Sequence, residues 1–406
     1  ILFTKKVSVS LYQKMQELLD NNKKLGQLRT VMPKVQCGSK IIVDSHEYVN
    51  LSSNDYLGLA ANLNLSKEFL SDVLSFNSKD KLNADMRLSS SGSPLLTGAH
   101  SSYDDIEETM EALFNKKALF FNSGFSANSG VISALATENN LILADKLAHA
   151  SIIDGMMTAK GKCLRYAHND YEHLEKLLNA HADKYDSVIV VTEAVFSMDG
   201  DSCDLKKLVE LKHKFHNVYL YVDEAHSFCL YADNGAGLCK KNQVTDDIDF
   251  ILTTFGKGLG SEGACILCNE IARDYLINTA RSLIFSTALS PLSFAHANFM
   301  VKYMQKRNDL RERLHSISSY IHNALKNSGY ENVSQSQIIP VLTYENEKAV
   351  KACEFFKAHG FYAMPIRHPT VPKGKARLRL SLTASLTDSE VEKLKDTIKA
   401  FSKTEL

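Results

Sequence analysis

The sequence predicts an α/β fold: a mostly parallel central sheet followed by a smaller C-terminal α+β domain. Three observations carry that expectation. Short apolar runs recur through the first 250 or so residues, and each ends in polar or small residues. Amphipathic helical stretches separate them, and strands alternating with helices imply a parallel sheet covered on both faces. After about residue 290 long helical patterns take over, with only two further strand-like runs.

The elements follow in order. Leu11, Met15, Leu18 and Leu19 recur at helical spacing and predict an opening helix, which Asn21, Asn22 and Gly26 weaken. Ile106, Met110 and Leu113 mark an amphipathic helix. The run 118–122 leads into Ser123-Gly124-Phe125, and 140–144 leads towards His149. Run 188–191 ends in Thr192-Glu193, and 218–222 in Asp223-Glu224-Ala225-His226. Run 250–254 ends in Phe255-Gly256-Lys257. Residues 293–325 read as helical, and 337–342 and 377–382 as strands. The last helix opens with a capping box, Thr387 and Glu390, and carries Val391, Leu394, Ile398 and Phe401 on one face. The expected division is an N-terminal helix and arm (1–50), a large domain (51–290) and a small C-terminal domain (291–406).

Composition removes several classes. The 47 basic and 47 acidic residues give zero formal charge, so there is no general electrostatic case for nucleic acid. No apolar stretch approaches the roughly 18 residues of a membrane span. Eight cysteines in 406 residues suit a reducing compartment, and a cytoplasmic location is expected. Position 1 is Ile, so the native start is taken to be missing and a targeting peptide is not readable.

Some motifs mislead. Gly258-Leu259-Gly260-Ser261-Glu262-Gly263 fits G-x-G-x-x-G, but the residues after it read as a strand where a dinucleotide site needs a helix. Cys265-x-x-Cys268 lies in that strand without a second pair, so structural thiols and no metal are expected. His213-x-x-His216 sits in a charged helix and reads as solvated. Gly256-Lys257-Gly258 lacks the spacing of a Walker loop.

Three features form a chemical constellation. Asp223 ends an apolar strand, with His226 three residues on. Lys257 follows a later strand, and Ser123-Gly124-Phe125 joins a strand to the helix opening at Ser126-Ala127-Asn128. Taken alone, the lysine reads as snorkelling, the aspartate as a cap and the glycine as a turn. Taken together, an amine can bind an aldehyde cofactor covalently. A carboxylate can keep a pyridine nitrogen protonated, so that the ring withdraws electrons. Main-chain amides at a helix start can take a phosphate. That is the chemistry of pyridoxal 5'-phosphate (PLP).

Further motifs agree. They are Leu51-Ser52-Ser53-Asn54-Asp55-Tyr56-Leu57-Gly58, Val195-Phe196-Ser197-Met198-Asp199-Gly200, Val222-Asp223-Glu224-Ala225-His226-Ser227, Thr254-Phe255-Gly256-Lys257, Pro369-Thr370-Val371-Pro372-Lys373-Gly374 and Arg377-Leu378-Arg379. In this order, over about residues 28–382, the chain resembles the α-oxoamine synthases. These are PLP-dependent acyltransferases with the aminotransferase-like fold (fold type I). Tyr166-Ala167-His168-Asn169-Asp170, Thr192-Glu193 and Ile366-Arg367-x-Pro369-Thr370-Val371-Pro372 resemble the branch that condenses L-alanine with a pimeloyl thioester in biotin synthesis.

The resemblance implies roles. Lys257 would bind PLP and shuttle the α-proton, and Asp223 would pair with the pyridine nitrogen. His149 would stack on the ring, and His226 would bond its phenolic oxygen. Gly124 and Phe125 would meet the phosphate through amides, and Thr254 through its hydroxyl. Ser197 would contact the cofactor and Glu193 would support the site. Ser286 and Thr287 would reach the neighbouring subunit's cofactor phosphate, which makes a homodimer with interface sites. Arg379 would clamp the amino acid carboxylate, ahead of its neighbour Arg377. Arg29, Asn54 and Thr370 match other substrate positions, and Arg367 is weighed for the acyl chain's far carboxylate.

The chain also departs from the family pattern. Tyr103 stands where many relatives carry His, Ser227-Phe228-Cys229-Leu230-Tyr231 replaces a glycine-bearing stretch, and the loop 89–94 is poorer in glycine. The competing readings are a glycine-using synthase, a catalytically silent PLP-fold subunit, and a nicotinamide oxidoreductase resting on the decoy glycines.

Overall fold

The computed structural model describes residues 10–25, 27–75, 87–331 and 334–404. Ile1 and Gly26, both noted above, lie outside them. α1 (Leu11–Lys24) has a capping box. Ser10 Oγ accepts from Gln13 N, and Gln13 Oε1 accepts from Ser10 N. Its apolar stripe forms at the expected spacing but stays exposed, so capping and the helix's own backbone hold it.

β1 (Val35–Cys37), β2 (Lys40–Val43) and β3 (His46–Asn50) form an antiparallel meander. α2 (Leu63–Ser75) and α3 (Ser101–Phe114) lead into the central sheet. That sheet contains β4 (Lys117–Phe121), β5 (Asn140–Asp145), β6 (Lys162–Tyr166), β7 (Ser187–Glu193), β8 (Val218–Asp223), β9 (Phe250–Thr254) and β10 (Ala264–Cys268). The helices between them are α4 (Gly124–Leu135), α5 (Ala150–Met157), α6 (Tyr171–His181), α7 (Leu205–His213) and α8 (Leu238–Lys241).

The spatial order is β4-β10-β9-β8-β7-β5-β6. β6, β5, β7, β8 and β9 run parallel, and β10 is antiparallel to both its neighbours. The continuous apolar runs arise because both faces are covered. Leu141, Leu143, Val188, Val190, Leu220 and Val222 face one hydrophobic cluster. Ile142, Ala144, Ile189, Val191 and Tyr221 face the other. This is the period-two alternation of a strand.

The chain continues through α9 (Glu270–Thr279), α10 (Arg281–Ile284), α11 (Pro291–Gln305) and α12 (Asn308–Asn327). It then enters β11 (Ile338–Tyr344), α13 (Asn346–Ala358), β12 (Phe361–Tyr362), β13 (Pro365–Ile366), β14 (Ala376–Ser381) and α14 (Asp388–Phe401). β11, β14 and β13 form a second sheet. β12 instead pairs parallel with β3, Phe361 opposite Val49, which ties the late chain to its beginning. The predicted capping box of α14 is present. Thr387 Oγ1 accepts from Glu390 N at 3.3 Å, and Glu390 Oε2 accepts from Thr387 N at 2.9 Å. Among the described residues no helix is long and apolar enough to cross a membrane.

Strand order positions the site. β5, β7, β8 and β9 are neighbours and run the same way, so Asp145, Glu193, Asp223 and Thr254 end side by side. Ligands bind at that edge of a parallel sheet.

Candidate active site

A cavity of about 380 Å³ opens over these strand ends. Gly124, Phe125, His149, Glu193, Asp223, His226, Thr254 and Lys257 all line it, with Asn128 and Ser151. The residues after the decoy glycines form β10, so the G-x-G-x-x-G match does not open a helix. Cys265 and Cys268 are buried in that strand.

Asp223 is buried and held from two sides. Oδ1 accepts from Ala225 N at 2.9 Å, and Oδ2 from Asn128 Nδ2 at 2.8 Å. Asn128 is itself fixed: Tyr221 OH donates to its Oδ1 at 2.7 Å, and its Nδ2 also reaches Ser151 Oγ at 3.0 Å. Ser151 Oγ lies 2.8 Å from His149 Nδ1, the group that caps α5. Burial lowers the His149 imidazole, reinforced by the Lys257 charge and opposed by Asp223, so the ring is neutral and can lie flat against a planar ligand.

Lys257 Nζ lies 3.0 Å from His226 Nε2, and Tyr56 OH lies 2.7 Å from His226 Nδ1. Burial holds His226 far below the ordinary histidine range, helped by the Lys257 and Arg379 charges. Tyr56 donates to Asn54 Oδ1 at 3.0 Å, so it accepts from His226 Nδ1–H, which leaves Nε2 to accept from the Lys257 amine. Burial also lowers the Lys257 amine against the pull of Asp223 and Glu193, which favours its nucleophilic form.

Glu193 is buried, and burial together with the Asp223 charge pushes its carboxyl far up. Its Oε1 has no hydrogen-bond partner among the described residues. An orphaned buried oxygen on a cavity wall marks a place for a ligand group.

Arg379, on β14, reaches in from the second sheet. Its Nε donates to Ser197 O at 2.7 Å and Nη1 to Ser381 Oγ at 2.5 Å. Among the described residues Nη2 makes only long contacts, 3.3 Å each, to Asn54 Oδ1 and Tyr56 OH. Contacts of that length are weak, so an incoming carboxylate can replace them. Arg377 is committed elsewhere, to Asp199 at 2.5 Å and Met198 O at 3.1 Å.

The remaining predicted residues do not line the cavity. Ser286 and Thr287 follow α10, where Asn122 Nδ2 donates to Ser286 Oγ at 2.9 Å and to Thr287 O at 2.7 Å. Arg29 and Thr370 are exposed and bonded to each other at 3.1 Å, away from the cavity lining. Spacing did not reveal Tyr56, Asn128, Tyr221 or Ser151 as members of the site. The one signal for Asn128 was an amide inside an otherwise small and apolar helix, GFSANSGVISAL.

The cavity fits PLP group by group. Lys257 is the one lysine in the lining among the described residues, and its amine would meet the aldehyde. Asp223 offers a carboxylate to a ring nitrogen. Ser123–Phe125 offer amides at the start of α4, and no side chain fits at Gly124. A Cβ there would stand 2.5 Å from Thr254 Cγ2.

The comparisons agree. The family model described as aminotransferase class I and II matches residues 46–398. The chain belongs to that family. Within it the chain is an α-oxoamine synthase. It is 43% identical to a curated protein of Glaesserella parasuis serovar 5 named "Putative 8-amino-7-oxononanoate synthase", over 93% of this chain and 97% of that one. A protein of Neisseria meningitidis serogroup C with the same name is also 43% identical, over 90% of this chain and 94% of that one. Among solved structures, a serine palmitoyltransferase from S. paucimobilis with PLP bound superposes with a TM-score of 0.87. It is 26% identical and covers 97% of this chain and 98% of its own. An 8-amino-7-oxononanoate synthase from Francisella tularensis superposes with a TM-score of 0.73 at 27% identity, covering 88% of this chain and 98% of its own. This α-oxoamine synthase is an enzyme, and PLP is its cofactor.

Proposed function

We propose that the chain catalyses the decarboxylative condensation of L-alanine with a pimeloyl thioester, on coenzyme A or a carrier protein. The products are 8-amino-7-oxononanoate, the free thiol and CO2, in biotin synthesis in the cytoplasm. The observation that carries the substrate choice is the 43% identity, over nine-tenths of the chain, to proteins named for that reaction. The serine palmitoyltransferases superpose closely but share 26%.

Bound PLP supplies an electron-withdrawing ring that stabilises negative charge at the amino acid's Cα. The chain's residues do the rest. Asp223, braced by Asn128 and Ala225, holds the proton on the pyridine nitrogen. His149 would cover one ring face, and the amides of Gly124 and Phe125 with the Thr254 hydroxyl would hold the phosphate. His226 steadies the Lys257 amine before the substrate enters. Lys257 then takes the proton from Cα and later returns one, a general acid–base task suited to an amine lowered by burial. Arg379 Nη2 exchanges its long contacts for the amino acid carboxylate. Ser197 and Glu193 complete the cofactor pocket. Ser286 and Thr287 serve the phosphate of a second copy in a homodimer. Arg29, Asn54 and Thr370 frame the substrate entrance.

The test is a substrate matrix. Purified enzyme loaded with PLP receives alanine, glycine or serine with pimeloyl-, acetyl- or palmitoyl-CoA, and products are read by mass spectrometry. 8-Amino-7-oxononanoate from alanine and pimeloyl-CoA is expected. Turnover only with glycine or serine would overturn the substrate assignment while leaving the family intact.

A further inference from the structure

The turn at residues 196–201, between β7 and α7, is where the large sheet grips β14. Phe196 N donates to Asp201 O and Gly200 N to Phe196 O, both at 2.9 Å, which closes the turn. From β14, Arg379 bonds Ser197 O, and Arg377 bonds Met198 O and Asp199. Gly200 is pressed onto β11, since a Cβ there would stand 2.1 Å from Ile338 O. On its other flank the turn meets His168, which follows β6. His168 Nε2 lies 2.8 Å from Asp201 Oδ2, and Nδ1 lies 2.9 Å from Asp145 Oδ1. Phe196 meets the imidazole edge to face at 4.4 Å.

A carboxylate at each ring nitrogen requires a proton on both, so the ring is an imidazolium. Burial opposes that charge, but the two aspartates outweigh it and push the group up to about 10. The cation therefore staples the end of β5 to the turn whose Ser197 carbonyl holds Arg379. His168 does not line the cofactor cavity.

We infer that His168 is a positioning residue for the amino acid substrate: bridging Asp145 and Asp201, it fixes the 196–201 turn and, through the Ser197 carbonyl, the aim of the Arg379 guanidinium. This rests on the reading of Arg379 as the carboxylate clamp. A displaced clamp weakens the amino acid and leaves PLP and the thioester untouched.

The experiment uses the PLP-loaded enzyme and three variants, His168→Gln, Asp201→Asn and Arg379→Gln. Binding of alanine, glycine and serine is read from the change each makes in the cofactor's visible absorption, independently of turnover. KM values for both substrates are measured beside it. For His168→Gln and Asp201→Asn the amino acid dissociation constant and KM should rise roughly 10- to 100-fold, as expected for a misplaced positioning group. PLP retention and the thioester KM should stay within about two-fold, a split that general loosening of the fold would not produce. Asp201→Asn keeps the side chain's shape and decides the matter if His168→Gln fails to fold. Unchanged amino acid affinity in Asp201→Asn, with Arg379→Gln weakened, overturns this inference alone. Unchanged affinity in Arg379→Gln overturns the clamp reading and this inference with it.

Discussion

Asn128→Asp changes one nitrogen to oxygen and little else, so it isolates what braces Asp223. In the native chain Asn128 Nδ2 donates to Asp223 Oδ2 at 2.8 Å, and its Oδ1 accepts from Tyr221 at 2.7 Å. The variant keeps the acceptor for Tyr221 and sets a second carboxylate against the first. Loss of a hydrogen bond to a charged group costs roughly 1.5–3 kcal/mol. Repulsion adds to this but is capped, because one of the pair can take up a proton. From an ordinary value near 3.9, that uptake costs about 5 kcal/mol at pH 7.5. The penalty thus lies between about 1.5 and 5 kcal/mol, and it falls on the carboxylate proposed to face the pyridine nitrogen. PLP affinity should drop at least ten-fold, read by titrating the cofactor-free enzyme and following the absorption of the bound form. Asn128→Ala, which removes the donor without adding charge, should sit between this variant and the native chain. PLP affinity within two-fold of native in Asn128→Asp would refute the bracing argument.

Gly124→Ala should cut PLP affinity by an order of magnitude or more with little loss of fold, because the new methyl meets Thr254 Cγ2 at the start of α4; equilibrium dialysis reads it. The His168 staple makes stability pH-dependent with a definite sign. The folded value lies above the free one, so the native state holds an extra proton between about pH 6.5 and 10. The advantage of native over His168→Gln, measured by denaturant unfolding, should be full below pH 6.5. It should shrink by up to about 1.4 kcal/mol per pH unit and vanish as pH passes about 10, and parallel curves would contradict it. Tyr166 and Tyr171 nearby are held protonated by burial and do not titrate in that window. Arg311→Ala should destabilise by about 2–4 kcal/mol, since the buried guanidinium bonds the carbonyls of Met304 and Asp233; thermal unfolding shifts while kcat of the folded enzyme does not.

What the sequence reveals depends on where a residue's partners lie. β5, β7, β8 and β9 were readable because strands buried on both faces are continuous apolar runs. β6, Lys162–Tyr166, was not, because it is a half-wet edge strand whose charges break the run. β1 to β3 were missed because they are short: β1 is exposed throughout, and β2 and β3 bury only two residues each, too few to make an apolar run. Asp223 and Lys257 stood out as charged groups at the mouths of apolar strands. Asn128 and Tyr56 did not, because their roles come from partners 95 and 170 positions away, which no local pattern encodes.

The pairing of β3 with β12 bears on how the chain is made. The bond from Met364 N to Ser52 Oγ beside it joins positions 312 residues apart. At roughly 5–20 residues per second on the ribosome, the β3 edge waits about 15 to 60 s for its partner strand to exist. Through that interval its backbone donors and acceptors are open to any passing strand, and loop closure over so long a span is slow afterwards. Of the three sheets described, the β1–β3 meander therefore waits longest for its final strand, which exposes soluble yield to translation speed and chaperone cover as well as to final stability.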